Sequence, residues 1–178
     1  MVNYPDAYLE YLFHFHGSRD FFECHEIMEE YWKEHPDDPR SRTYVGLIQI
    51  AVAMYHHRRG NIPGAVKMLQ ASLRNLRDEA AASLGLDAAR LRRMLLSRLE
   101  RLTRAEAPYE DMNLPITDRN LVRQVAAICE ERSADWCRSS DMNDPELIHR
   151  HRLRDRSGVI EERQRAIKER SQAKEQRE

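Results

Sequence analysis

Residues 41–59 are apolar around most of their circumference when they are drawn as a helix. The large apolar side chains do not form a single stripe, and they are Tyr44, Val45, Leu47, Ile48, Ile50, Val52, Met54 and Tyr55. Such a helix has no face suited to water, so other elements must surround it. The pattern predicts a central buried helix, around which the rest of the chain has to pack.

The composition indicates that the surrounding elements are helices as well. Alanine, leucine, arginine and glutamate are frequent, whereas the six glycines and seven prolines stand mainly at apparent boundaries. The frequent residues favour helices, and runs of β-branched residues are few. We therefore predict an all-α fold, a compact bundle of about six helices built from antiparallel helical hairpins.

Glycine, proline and capping residues predict where these helices begin and end. Gly17, in a left-handed backbone conformation, is expected to end the first helix, and Pro36 the second. The residues expected to cap the N-termini of later helices are Asp20, Asn61, Asp87 and Thr117 or Asp118. Residues 105–116 are predicted to form a connection whose apolar side chains fold back on the core.

The character of the chain changes towards its C-terminus. Residues 1–140 are predicted to form the helical bundle domain, and residues 141–178 a charged tail rich in arginine, glutamate, glutamine and lysine. The tail has few large apolar side chains to bury. We therefore expect it to be mobile or to form a solitary helix.

Charge and hydropathy limit the partners and the compartment. The formal net charge is -1, with 29 Lys plus Arg against 30 Asp plus Glu, so the chain lacks a general design for nucleic acid or anionic membranes. No apolar stretch is long enough to span a bilayer, and Asp6 and Glu10 stand where a signal peptide would be basic. We expect a cytoplasmic protein that binds no membrane.

The three cysteines of the chain lack paired spacing and are expected to be reduced thiols.

A set of polar residues, the polar line, crosses the apolar surfaces of the second and third predicted helices. On a helical wheel His25 and Glu29 fall between Trp32 and Phe22, at the inward side of the second helix. On the third helix, polar residues recur every seven positions and form one narrow strip, which consists of Arg42, Gln49 and His56. If the two helices pair antiparallel, the two polar sets face each other.

The antiparallel arrangement predicts particular pairs. His25 is expected opposite Gln49, and Glu29 is expected within reach of Arg42. His56 has no assigned partner. Because an unsatisfied buried polar group costs about 1–3 kcal/mol, a closed hydrogen-bonded network is the favoured interpretation.

The alternative interpretation of the polar line is a small pocket. The residues that would converge there on a metal, an anion or a substrate are His25, Glu29, Gln49 and His56. The candidate metal ligands are His25, Glu29 and His56. Residues 25–29 imitate a zinc protease helix, but the second histidine is replaced, and Glu26 is predicted to point away from His25.

The chain contains no motif that points to a cofactor or to a catalytic residue. It has no phosphate-binding loop, dinucleotide-binding glycine pattern or nucleophile elbow, and it lacks the paired Glu-x-x-His motifs of di-iron bundles. We therefore predict no cofactor and no catalytic residue. An enzymatic role has no direct support in the sequence.

A face of arginines follows the helix that starts near Asp87. Its members are Arg90, Arg93, Arg101 and Arg104. Glu100 and Glu106 lie nearby, and no aromatic residues are interleaved for stacking on bases. A solvated helix face is therefore favoured over a nucleic-acid site.

Three blocks of sequence, in a fixed order, carry a family resemblance. They are residues 22–32 (FECHEIMEEYW), residues 46–49 (GLIQ) followed by Ala51 and Ala53, and residues 59–61 (RGN) followed by Gly64 and Ala65. The blocks resemble the signature of DUF309, a bacterial all-helical family of unknown function. The resemblance covers residues 4–76, and the part after Gly85 resembles the longer members from Gram-positive bacilli.

The resemblance implies an all-helical bundle and no established activity. It also implies that much of the polar line belongs to the family pattern, whose members here are Glu23, His25, Glu26, Glu29, Trp32, Gln49 and Gly60. Met28 departs from this pattern conservatively, since leucine is usual at that position.

These observations predict a non-enzymatic domain that acts through protein–protein contacts, either by self-association or by docking onto a partner. One alternative is a metal-dependent or hydrolytic enzyme with a pocket formed by His25, Glu29, Gln49 and His56. Another is nucleic-acid binding through the arginine face and the tail. The residues identify no small-molecule ligand.

Overall fold

The computed structural model describes residues 3–104 and 108–153, and within them the chain is all-α. The predicted fold class is therefore confirmed. The described elements are α1 (Asp6–Phe13), a π-helical turn (His14–Ser18), α2 (Phe21–Glu34), α3 (Ser41–Arg58), α4 (Ile62–Asn75), α5 (Asp78–Ser83), α6 (Ala88–Thr103), α7 (Arg119–Glu131) and α8 (Pro145–Leu153). The short helices α5 and α8 are additions to the predicted set.

Helix α3 occupies the core, as its apolar circumference predicts. It packs against both α2 and α4, and Tyr44, Leu47 and Ile50 are fully buried. A Cβ atom on Gly46 would lie 3.1 Å from the side chain of Leu76, just after the end of α4. The absence of a side chain at this position allows the close approach of the two segments.

The expected N-terminal caps are confirmed, and Asp118 rather than Thr117 caps α7. The capping side chains each accept a main-chain N–H bond from the first turn, and they are Asp20, Asn61, Asp87 and Asp118. A capping side chain bonds to main-chain N–H groups of the first helical turn, so it can be recognised from the local sequence.

The predicted end of the first helix is wrong. Gly17 is not left-handed; the chain instead continues through the π-helical turn, and Arg19 takes the left-handed conformation with φ 57°. Position 17 has no room for a larger side chain, because a Cβ atom there would lie only 2.9 Å from Sγ of Cys129. Close packing against α7 therefore explains this glycine.

The described part of the connection after α6, residues 108–118, folds back on the core as predicted. Met112 and Leu114 are buried, and the main-chain N–H of Leu114 donates to Nε2 of His16 over 3.0 Å. The N–H of Asp87 donates to the carbonyl of Pro115 over 2.8 Å. The connection is thus held to the start of α6 and to the end of the first helical segment.

The chain divides into a compact unit of residues 1–148 and a second unit of residues 149–178. Only residues 149–153 of the second unit are described, as the last part of α8. The predicted mobile tail lies outside the described residues from position 154 onwards. None of the described helices is long and apolar enough to cross a membrane.

Candidate functional site

His25 and its acidic neighbours form a cluster on one side of α2. Nδ1 of His25 lies 3.0 Å from Oε1 of Glu26, and Nε2 lies 3.6 Å from Oε2 of Glu29. Glu29 also contacts Lys33 Nζ over 3.4 Å. The prediction that Glu26 points away from His25 is therefore wrong, because its carboxylate turns back along the helix surface to meet the adjacent imidazole.

The same three residues are able to hold a metal ion. One ligand atom from each of His25, Glu26 and Glu29 can be chosen so that all lie within 4.8 Å of one another, and all three side chains are half-buried. Alternatively Nε2 of His25 and Glu29 would bind the ion, while Glu26 accepts the Nδ1–H bond and orients the ring, an arrangement common around metal-binding histidines. A single helix thus supplies both the ligands and their support.

The other members of the polar line turn towards α4, so the two predicted pairs are wrong. Asn75 donates from Nδ2 to Oε1 of Gln49 over 2.9 Å, and its Oδ1 accepts from Nε of Arg42 over 3.3 Å. The connection between α3 and α4 is shorter than that between α2 and α3, and it brings the end of α4 against this strip of α3. Asn75 therefore bonds to both residues at once.

His56 and Trp32 each have a local partner. Asn61, which caps α4, donates from Nδ2 to Nδ1 of His56 over 3.0 Å. Burial and the nearby Arg59 lower the pKa of His56 below its usual value, which keeps the ring neutral. Trp32 donates from Nε1 to Oγ of Ser41 over 2.8 Å and ties α2 to the start of α3. The members of the polar line thus belong to separate small groups of bonded residues and do not form one network.

Two buried arginines, Arg19 and Arg58, were not among the predicted site residues. Arg19 is 1% exposed and donates four hydrogen bonds. Its acceptors are three carbonyl oxygens and one amide oxygen, from Phe15, Met112, Arg138 and Asn113. Arg58 is 4% exposed and donates to the carbonyl oxygens of Arg19 and Leu147 and to Oγ of Ser140. These contacts fasten residues 112–113 and 138–147 to the core.

A groove that is open to solvent runs along α6. Its volume is about 650 Å³. We call it the arginine groove, and its lining residues are Arg90, Arg93, Met94, Ser97, Arg98, Arg101, Asp111, Met112 and Asn113. Three members of the predicted arginine face, Arg90, Arg93 and Arg101, line this groove. Arg98 lines it in addition, and the fourth predicted member, Arg104, pairs with Glu100 over 2.6 Å on the exposed surface at the end of α6.

The four guanidinium groups of the groove differ in their surroundings. Arg101 contacts Glu110 over 3.1 Å, and both side chains are exposed. Arg98 is half-buried, and its Nη1 lies 3.1 Å from Nδ1 of His57. Arg90 and Arg93 are exposed, and their side chains have no partner among the described residues. The groove therefore carries positive charge that the described acidic groups do not neutralise.

Asp111, the acidic residue of the lining, is occupied by its own neighbours. Its carboxylate accepts bonds from the hydroxyl of Tyr109 over 2.5 Å and from the main-chain N–H and Oγ of Ser140, each over 2.6 Å. Burial alone would raise the pKa of Asp111, but these hydrogen bonds lower it overall, so the group stays ionised at neutral pH. These hydrogen bonds hold Asp111 in place in the wall of the groove that lies opposite α6.

The positions of Arg58 and Arg98 in the sequence indicate that their side chains are at least partly buried. Arg58 continues the buried stripe of Leu47, Ala51 and Met54 at helical spacing. Arg98 falls between Leu95 and Leu102 on the buried stripe of α6 in the same way. An arginine on an otherwise apolar stripe predicts a partly buried cation. Arg19 has no such signal, because it lies between helices.

The comparisons with known proteins agree on a family without an assigned activity. The family model described as "Domain of unknown function (DUF309)" matches residues 8–68. A relative from Bacillus subtilis (strain 168), described as "Uncharacterized protein YpuF", is 44% identical over 173 residues, which are 96% of this chain and 99% of that protein. No solved structure matches the chain. The family model thus covers the polar line and ends before α6 begins.

Proposed function

The chain belongs to the DUF309 family, and from that premise we propose that it is a non-enzymatic docking domain whose arginine groove binds an acidic segment of a partner protein. One observation carries the proposal. Four guanidinium groups line a single open cavity, and the acidic residue within that lining already accepts hydrogen bonds from its neighbours. Anionic groups are the chemistry that such a cavity attracts.

The charge of the groove is local. The whole chain has a formal net charge of -1. The positive potential at α6 therefore comes from the arginines of the groove and not from a general excess of basic residues. Concentrated charge of one sign steers an oppositely charged partner and fixes its orientation on the surface. An acidic stretch of another protein is therefore the partner that fits by charge.

The lining favours a protein segment over a nucleic acid. It contains no aromatic ring on which a base could stack. It also includes Met94 and Met112, and methionine adapts its shape to different apolar side chains. A segment that combines carboxylates with apolar side chains matches both properties.

The members of the polar line that lie on α3 support a structural role within this domain. Asn75 is hydrogen-bonded to both Gln49 and Arg42, and His56 is bonded to Asn61. These groups link α3 to α4, and a bonded network of this kind stabilises helix packing without chemistry.

A peptide-binding experiment tests the proposal. The probe is a fluorescein-labelled peptide of about twelve residues, blocked at both ends and rich in glutamate and leucine. We expect it to bind the wild-type protein and to bind much more weakly when Arg90 and Arg93 are replaced by glutamate.

The cluster on α2 supports a second candidate function, a metal-dependent activity. The observation is the placement of His25, Glu26 and Glu29, with a carboxylate on each ring nitrogen of the histidine. A divalent ion held there would be exposed on one side, and water could complete its coordination. A thermal melt with added Zn²⁺, repeated on a variant without His25, tests this candidate.

A further inference from the structure

Arg98 differs from the other arginines of the groove in where its guanidinium group lies. It is half-buried, while Arg90 and Arg93 are exposed. Its position on the buried stripe of α6 brings it against His57 of α3, where Nη1 lies 3.1 Å from Nδ1. It therefore lies at the base of the groove, and the other two lie on its rim.

The partner of Arg98 inside the protein is neutral in the arrangement observed. For the hydrogen bond to form, Nδ1 of His57 has to carry the lone pair that accepts the Arg98 N–H. Among the described residues no carboxylate is hydrogen-bonded to Arg98, in contrast to Arg101, which contacts Glu110, and Arg92, which contacts Asp78 over 2.6 Å. Arg98 thus has no hydrogen-bonded counterion among the described residues, and the carboxylates of Glu110 and Asp111 act on its charge only from a longer distance.

The surroundings of Arg98 make its charge costly in the unbound protein. Burial lowers its pKa below the ordinary arginine value, which means that the cation has lost part of its hydration. A carboxylate that reaches a desolvated guanidinium gains more than one that meets an exposed arginine, because the effective dielectric constant is lower there. Met94 and Met112 beside it help to exclude water from such a contact.

We infer that Arg98 is the anchor of the arginine groove and receives one side-chain carboxylate of the acidic segment, while Arg90 and Arg93 steer the segment from the rim. This inference rests on the proposed docking function. His57 is the positioning residue, since its bond to Nη1 fixes the guanidinium plane and leaves the remaining N–H groups to meet both oxygens of a carboxylate.

The two roles predict different kinetics for the same peptide probe. Loss of a buried charge contact increases the dissociation rate, whereas loss of a rim charge mainly slows association and weakens its dependence on salt. The experiment measures both rate constants by stopped-flow fluorescence for the wild type, for Arg98→Gln and for the rim variant Arg90→Gln/Arg93→Gln. Arg98→Lys is included because it keeps the charge but loses the planar fork.

We expect Arg98→Gln to dissociate at least about tenfold faster than the wild type, with an association rate within about threefold. Arg98→Lys should show a smaller increase of the dissociation rate. If circular dichroism shows that Arg98→Gln does not fold, the dissociation rate of Arg98→Lys tests the anchor role in its place. The rim variant should associate more slowly, with a dissociation rate close to that of the wild type.

Two results would overturn the inference in distinguishable ways. If the rim variant binds more weakly while both Arg98 variants dissociate like the wild type, Arg98 is not the anchor and the docking function stands. If the wild-type protein does not bind the peptide, or if all variants bind it equally, the docking function fails and the anchor with it.

Discussion

Arg58 donates a hydrogen bond from Nη1 to the main-chain carbonyl oxygen of Arg19 over 2.7 Å. Both side chains are almost completely buried. Arg19 in turn donates to the carbonyl of Met112 and to the side chain of Asn113, which belong to the wall of the arginine groove. A continuous set of contacts therefore runs from α3, inside the segment that matches the family model, to the groove outside it.

The first prediction concerns the contribution of Arg58 to stability. Arg58→Met removes three hydrogen bonds that a charged donor makes, to the carbonyl oxygens of Arg19 and Leu147 and to Oγ of Ser140. We expect the free energy of unfolding to fall by about 2–4 kcal/mol, because hydrogen bonds from a charged group in a largely buried position contribute more than neutral ones at the surface. Urea denaturation measures this. The matched control is Arg74→Met at an exposed position, and a loss no larger than that of the control would show that the contacts of Arg58 contribute little.

The second prediction is a pH dependence from His16. Burial lowers the pKa of His16 to about 4, and the ring is held between the carbonyl of Leu12 and the N–H of Leu114. The ordinary histidine pKa is about 6.5, so at lower pH the unfolded chain takes up a proton that the folded chain does not. The stabilisation from neutral His16 is therefore present above pH about 6.5 and is lost as the pH falls towards about 4.

Over that whole range the loss attributable to His16 amounts to about 3 kcal/mol. His16→Gln removes the titrating group, so the free energy of unfolding should decrease less steeply between pH about 7 and 5 than it does in the wild type. His35→Gln, at an exposed position, is the control and should keep the wild-type slope. Equal slopes for His16→Gln and the wild type would contradict the assignment.

The third prediction concerns the bond between α3 and α4 that Asn75 makes. Asn75→Ala removes the partner of both Gln49 and Arg42. Because Gln49 is half-buried, we expect a loss of about 1–2 kcal/mol in the free energy of unfolding. Gln70→Ala, exposed on the same helix, should change it by less than about 0.5 kcal/mol. Similar values for the two variants would argue against the Asn75 network.

The fourth prediction tests the metal-dependent candidate function. If the α2 cluster binds a metal, Zn²⁺ should raise the melting temperature of the wild type and leave that of His25→Ala unchanged. His35→Ala is the control for nonspecific binding to an exposed imidazole and should respond like the wild type. A melting temperature that Zn²⁺ does not change in the wild type, together with protein that contains no metal when purified without chelators, would remove the metal-dependent candidate.

Much of the fold could be predicted because its signals are local. The caps at Asp20 and Asn61 and the apolar circumference of α3 depend on neighbouring residues, and each leads directly to a helix boundary or to burial. The left-handed Arg19 could not be predicted in this way. Its conformation depends on partners more than 90 residues away, such as Met112.

The site was less predictable because its pairs are decided by tertiary packing. The wheel places Gln49 on a strip of α3 correctly, but it does not tell which neighbouring helix that strip faces, and the answer is α4 rather than α2. Arg98 was missed for a related reason. Its charge suggests solvent, while its spacing from Leu95 and Leu102 indicates the buried stripe.

The affinity of the acidic peptide for the protein shows whether the arginine groove is the docking site. Fluorescence anisotropy gives Kd for the wild type, for Arg90→Glu/Arg93→Glu, and for the control Arg74→Glu/Arg119→Glu, which changes net charge equally at exposed positions outside the groove. We predict that the groove variant loses at least about tenfold in affinity and that the control stays within about threefold of the wild type. Equal losses in the two variants, or no binding by the wild type, would rule out the arginine groove as the docking site.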